Sequence, residues 1–80
     1  MSFEEQLATL VSRAVADARH DAEQLGVIVE RLAAALGFTV SIAARGDGAA
    51  IDRMTEAASM YALEEAARKA PLARSIAGKG

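Results

Sequence analysis

Apolar positions in the first 36 residues recur every three or four residues, the spacing of one face of an amphipathic helix. Ser2 followed by Glu5 is a capping-box pattern that predicts the start of this helix, and Gly37 is a typical helix stop. We therefore predict one long helix over residues 3–36, with a possible bend at Gly26, because glycine inside a helix costs about 1 kcal/mol. The apolar stripe consists of Leu7, Val11, Ala14, Ala18, Ala22, Leu25, Val29, Leu32 and Leu36.

The pattern changes after Gly37. Residues 38–43 alternate between apolar and small polar side chains, with Phe38, Val40 and Ile42 on one face of a strand. This alternation predicts a short strand or extended segment, which needs a partner for its backbone groups. The partner is either residues 49–51, across a turn at 45–48, or the same strand of a second chain. We favour pairing between chains, because alanine is a poor strand former and Ala49 and Ala50 dominate the internal candidate.

A second helix is predicted over residues 49–70, with Asp47 as its cap and Pro71 as its stop, followed by a tail over residues 71–80. Its apolar residues fall on two lines, with Tyr61 between them. A helix that is apolar on two faces is usually buried on two sides. The lines are Ile51, Met54, Ala58 and Ala62, and Met60, Leu63, Ala67 and Ala70.

The two helices differ in length, about 50 Å against about 30 Å, so a hairpin leaves part of the first stripe uncovered. Twenty of the 80 residues are alanine, so the core of a single chain is thin. We therefore expect one mainly α domain over residues 1–80, a coiled-coil-like helical hairpin completed by homodimerisation. The expected interface is the stripe together with Phe38, Val40, Ile42, Met54 and Tyr61. The alternative is a monomeric three-helix bundle in which the first helix folds back at Gly26.

Charge and composition narrow the function classes. The net charge of −2 argues against electrostatic binding to nucleic acid or to an acidic membrane surface. The absence of cysteine excludes disulfides, thiolate metal sites and cysteine nucleophiles. The longest uncharged stretch, residues 32–44, is shorter than the roughly 20 residues of a membrane-spanning helix. No export signal is apparent at the N-terminus, so we expect a cytoplasmic protein that has no membrane partner.

Candidate chemistry is sparse. Asp17 and His20 have the carboxylate-x-x-His spacing of two-metal helix bundles, but His20 is the sole histidine and lies away from the apolar stripe. Arg45-Gly46-Asp47 resembles the integrin-recognition tripeptide, although a turn and a helix cap explain the same residues. We expect no catalytic residue, no metal and no cofactor, and hence no enzyme.

Residues 22–27 followed by Leu32 resemble the helix-turn-helix motif, in which an alanine precedes the turn glycine by four positions. The resemblance implies a small DNA-binding regulator. The helix after the turn would then offer mostly apolar and acidic side chains to the DNA bases, and Arg31 would be its single basic residue. Our main hypothesis is therefore a non-enzymatic protein-interaction module, an adaptor, inhibitor or assembly component, which binds itself and another protein. DNA binding is the alternative.

Overall fold

The computed structural model describes residues 1–79, and within them it contains three helices and no strand. The helices are α1 (Phe3–Ala18), α2 (Ala22–Ala43) and α3 (Gly48–Lys79). The predicted mainly α fold class is confirmed. The chain divides into two compact units, residues 1–32 and the residues from 33 onward, and the boundary falls inside α2. Unit 1 therefore holds α1 and the first half of α2, and unit 2 holds the second half of α2 and α3.

α1 begins at the predicted cap. The Ser2 hydroxyl accepts a hydrogen bond from the backbone N–H of Glu5 at 3.1 Å, and it donates to the Glu5 carboxylate at 3.1 Å. This satisfies one of the free N–H groups of the first turn. Glu4 and Glu5 also place negative charge at the positive end of the helix dipole.

The prediction of one helix over residues 3–36 is wrong, because the chain turns at residues 19–21. Arg19 and His20 both have positive φ, 51° and 67°, which ends α1 without a glycine. Asp21 then caps α2, since its Oδ1 accepts from the backbone N–H of Glu23 at 2.9 Å and of Gln24 at 3.2 Å. Gly26 does not interrupt the helix, because α2 continues from Ala22 to Ala43.

The predicted strand over residues 38–43 is wrong as well, because α2 continues through Gly37 to Ala43. A strand needs a second strand, whereas a helix satisfies its own backbone groups. The Thr39 hydroxyl donates to the carbonyl oxygen of Ala35 at 2.7 Å, so this β-branched polar residue is accommodated inside a helix. Six alternating residues are too few to outweigh a helix that has already started at Ala22.

α2 ends in a Schellman motif. The N–H of Gly46 bonds to the carbonyl of Ser41 at 3.0 Å and that of Arg45 to the carbonyl of Ile42 at 3.1 Å. The predicted cap of the last helix is confirmed, since Asp47 Oδ2 accepts from the N–H of Ala50 at 2.9 Å. The turn at residues 45–48 is thus shorter than predicted, because Gly48 is already helical.

The predicted stop at Pro71 is wrong, because α3 includes this proline and extends to Lys79. Proline removes one backbone donor from a helix, at a cost of roughly 3 kcal/mol. The residues around it are good helix formers, Lys69 and Ala70 before it and Leu72 and Ala73 after it, so both flanks favour a continuous helix. The predicted tail over residues 71–80 is therefore helical as far as the structure describes it.

Candidate interaction surfaces

Very little of the described chain is buried. The buried residues are Ala18 in unit 1 and Val40 and Ala44 in unit 2, all three of them small. Alanine buries few carbon atoms, so Ala18 and Ala44 each contribute less than the roughly 1.5–3 kcal/mol that burial of a side chain such as Val40 provides. The larger apolar side chains lie mainly on the surface, and these surfaces are the candidates for function.

Unit 1 keeps only the first part of the predicted stripe. On α1 the stripe has the predicted phase, with Ala18 buried and Val11 and Ala14 half-buried. On α2 the phase is lost after the turn, because Leu25 and Ile28 are half-buried while Val29 is 66% exposed. Ile28 was therefore missed by the sequence prediction. Among the predicted interface residues, the exposed ones are Leu7, Ala22, Val29, Leu32, Leu36, Phe38, Ile42, Met54 and Tyr61.

In unit 2 the three predicted strand residues do not share a face. A strand would place Phe38, Val40 and Ile42 on one side, whereas successive residues of a helix are rotated by about 100°. Val40 is buried, while Phe38 is 71% exposed and Ile42 is 64% exposed. Phe38 and Ile42 are one turn apart and form an apolar ridge, which we call the α2 ridge, on the side of α2 away from Val40.

α3 shows both predicted apolar lines, and each is covered only in part. Ile51 and Ala58 of the first line and Ala70 of the second are half-buried. Met60 is 59% exposed and Leu63 is 71% exposed on the side of the helix opposite Ile51 and Ala58. The expectation that both sides are buried is therefore not met within one chain. Exposed apolar residues outside the predicted interface are Met1, Phe3, Leu10, Val15, Val27, Met60, Leu63, Leu72 and Ile76.

Many of the larger apolar side chains are exposed. The accessible area of the chain is 6741 Å², and 17 large apolar side chains among the described residues contribute to it.

α2 has a second property that bears on its partners. It is 22 residues long, and by length and composition it is apolar enough to cross a membrane. Only 6% of its most apolar 18-residue segment is buried. Glu30 and Arg31, however, lie near its middle. Charged residues there cost about 2.5–3.5 kcal/mol each for insertion of a helix into a membrane. Length and composition alone do not distinguish a membrane helix from a helix covered by protein.

The polar candidates have ordinary structural roles. The Asp21 carboxylate caps α2, and His20 is exposed in the turn beside it. Residues 1–79 contain no group of three or more histidine, aspartate and glutamate side chains that could hold a metal ion. In the Arg45-Gly46-Asp47 turn, Arg45 and Gly46 have positive φ and Asp47 caps α3.

The helix-turn-helix resemblance does not correspond to a turn. Gly26 lies inside α2, and the residues that would form the turn and the recognition helix belong to that one continuous helix. The reversal of the chain lies earlier, at residues 19–21. The motif on which the DNA-binding alternative depended is therefore absent at its predicted position.

Comparison of the chain with protein-family models, with curated proteins and with solved structures finds no match.

Proposed function

We propose that this chain is a non-enzymatic helical interaction module that associates with itself and presents an apolar surface to another protein as an adaptor, inhibitor or assembly component. The observation that carries the proposal is the imbalance between a buried set of three small residues and an accessible area of 6741 Å². Large apolar side chains that stay exposed, such as Phe38 and Leu63, are unfavourable in water, and clusters of them are typical of an interaction surface.

The distribution of this area supports a protein partner. The exposed apolar side chains lie in rows on helices, such as Phe38 and Ile42 on α2 and Met60 and Leu63 on α3. Rows at this spacing fit the groove or the face of another helix, which is the usual way in which helices recognise proteins. Phenylalanine and methionine are also enriched in the centres of protein interfaces.

The proposal includes a cytoplasmic location and no membrane partner. Its support is the charged pair Glu30 and Arg31 near the middle of the most apolar helix. The net charge of −2 likewise supports a protein partner over nucleic acid, because nucleic-acid binders concentrate positive charge.

Site-specific photo-cross-linking tests the proposal. A benzophenone amino acid in place of Phe38, on the α2 ridge, should cross-link the purified chain to a second copy or, in extract of the native host, to a partner protein. The same group in place of Gln24, a polar exposed residue of the same helix, is the matched control. Cross-linking at position 38 that does not exceed cross-linking at position 24, in either sample, would contradict the proposal.

A further inference from the structure

One side of α3 carries a row of residues that we call the α3 stripe, of which Ala70 is half-buried and the others are exposed: Glu56, Met60, Leu63, Ala67, Ala70 and Arg74. These positions are three, four or seven residues apart and lie within about 40° of the mean direction of the row. Met60 and Leu63 are 59% and 71% exposed, and the stripe lies opposite the half-buried Ile51 and Ala58. A single chain therefore leaves most of this stripe uncovered.

We infer that the α3 stripe binds the α3 stripe of a second copy in antiparallel orientation. This inference rests on the proposed self-association and specifies its face and direction. In the register that we propose, Leu63 lies opposite Ala67 of the second copy and Met60 lies opposite its Ala70. Each large side chain then meets a small one, which lets two helices approach closely.

Charge selects the orientation. Glu56 and Arg74 stand at opposite ends of the stripe, about 27 Å apart along the helix axis, too far to pair within one chain. The ion pair found among the described residues joins Arg68 to Glu65, away from the stripe. An antiparallel partner places Glu56 opposite Arg74 at both ends of the interface. A parallel partner would instead place Glu56 against Glu56 and Arg74 against Arg74, which is unfavourable.

A symmetric contact of this kind closes after two copies, because the same stripe is used on both sides. The second copy is therefore an occupant that matches the stripe in shape and in charge.

Charge reversal is the first arm of the test. Glu56→Arg and Arg74→Glu should each weaken self-association at least tenfold at low salt, and the double variant should restore it, because the reversed pair is again complementary. Lys69→Glu is the matched control, since it makes the same change of charge as Arg74→Glu on the opposite side of the same helix. Failure of the double variant to restore association, or equal weakening by Lys69→Glu, would overturn the inference.

Disulfide trapping is the second arm, and it uses the absence of native cysteine. Two single-cysteine chains of different length, Leu63→Cys and Ala67→Cys, are mixed and oxidised with copper–phenanthroline. The antiparallel register predicts that the mixed 63–67 product dominates. Products that join like with like would indicate a parallel pair, and an absence of both products in a dimeric protein would indicate another face. Both results overturn the inference and leave the proposed function standing, whereas a monomeric wild-type chain would overturn both.

Discussion

Arg19 and Arg45 have the same left-handed backbone conformation, with φ of 51° and 54°, at the same place in two different turns. Each follows a buried alanine, Ala18 or Ala44, and each precedes a second residue of positive φ and an aspartate that caps the next helix. Ala-Arg-His-Asp and Ala-Arg-Gly-Asp are therefore two versions of one turn, 26 positions apart. In both turns arginine occupies the left-handed position that glycine usually occupies. A substitution at either arginine therefore tests the fold directly.

Arg19→Gly and Arg45→Gly should each raise the free energy of unfolding by up to about 1 kcal/mol. The left-handed conformation costs a residue with a side chain roughly 1–2 kcal/mol, and glycine loses part of this gain through its more flexible unfolded state. Urea unfolding followed by circular dichroism, at one protein concentration, measures the change. Arg13→Gly, the same substitution inside α1, is the control and should lower stability by about 1 kcal/mol. Equal loss in all three variants would show that Arg19 and Arg45 are not left-handed.

Asp21→Ala and Asp47→Ala should each lower the free energy of unfolding by about 0.5–2 kcal/mol, because each aspartate accepts hydrogen bonds from the first turn of a helix. Glu30→Ala, which removes an exposed carboxylate from the middle of α2, should stay within about 0.5 kcal/mol of the wild type. Thermal unfolding monitored by circular dichroism distinguishes them. If either aspartate variant is as stable as Glu30→Ala, that aspartate does not cap its helix.

Ala18→Glu should unfold unit 1 or lower its stability severely, because Ala18 is buried and glutamate would replace its methyl group by a longer, charged side chain. Ala16→Glu lies on the exposed side of the same helix and should be tolerated. Hydrogen exchange of the α1 amides measures the effect locally. Similar protection in both variants would mean that α1 is rotated from the orientation described here.

The wild-type chain should not sediment with phosphatidylcholine–phosphatidylglycerol vesicles, because Glu30 and Arg31 oppose insertion of α2. Glu30→Leu combined with Arg31→Leu removes both charges and should produce vesicle binding. Comparison of the wild type with this double variant shows whether α2 is covered by a protein or inserts into a membrane. Wild-type binding as strong as that of the double variant would contradict the absence of a membrane partner.

The sequence predicted the features that depend on local chemistry. The Ser2 cap, the Asp47 cap and the phase of the α1 stripe are each encoded by a few neighbouring residues, and all three are confirmed. The first turn was missed because Arg19 and His20 give no glycine or proline signal for positive φ. A comparison of the two Ala-Arg-x-Asp segments would have revealed it.

The errors after Gly37 have a different cause. Alternation over residues 38–43 fits a strand, but α2, which begins at Ala22, already provides the helix that these residues extend. Which side of each helix stays exposed could not be read from periodicity, since Met60 and Leu63 have the spacing of a core face and yet lie on the surface. The sequence specifies apolar faces, and the packing decides which of them remain for a partner.

Sedimentation equilibrium of the purified wild-type chain at micromolar concentration tests the central claim, that this chain is completed by association. The exposed large apolar side chains predict a mass of twice 8.3 kDa or more, with dissociation on dilution accompanied by loss of helical content. A mass of 8.3 kDa across the whole concentration range, together with one cooperative thermal transition, would contradict it.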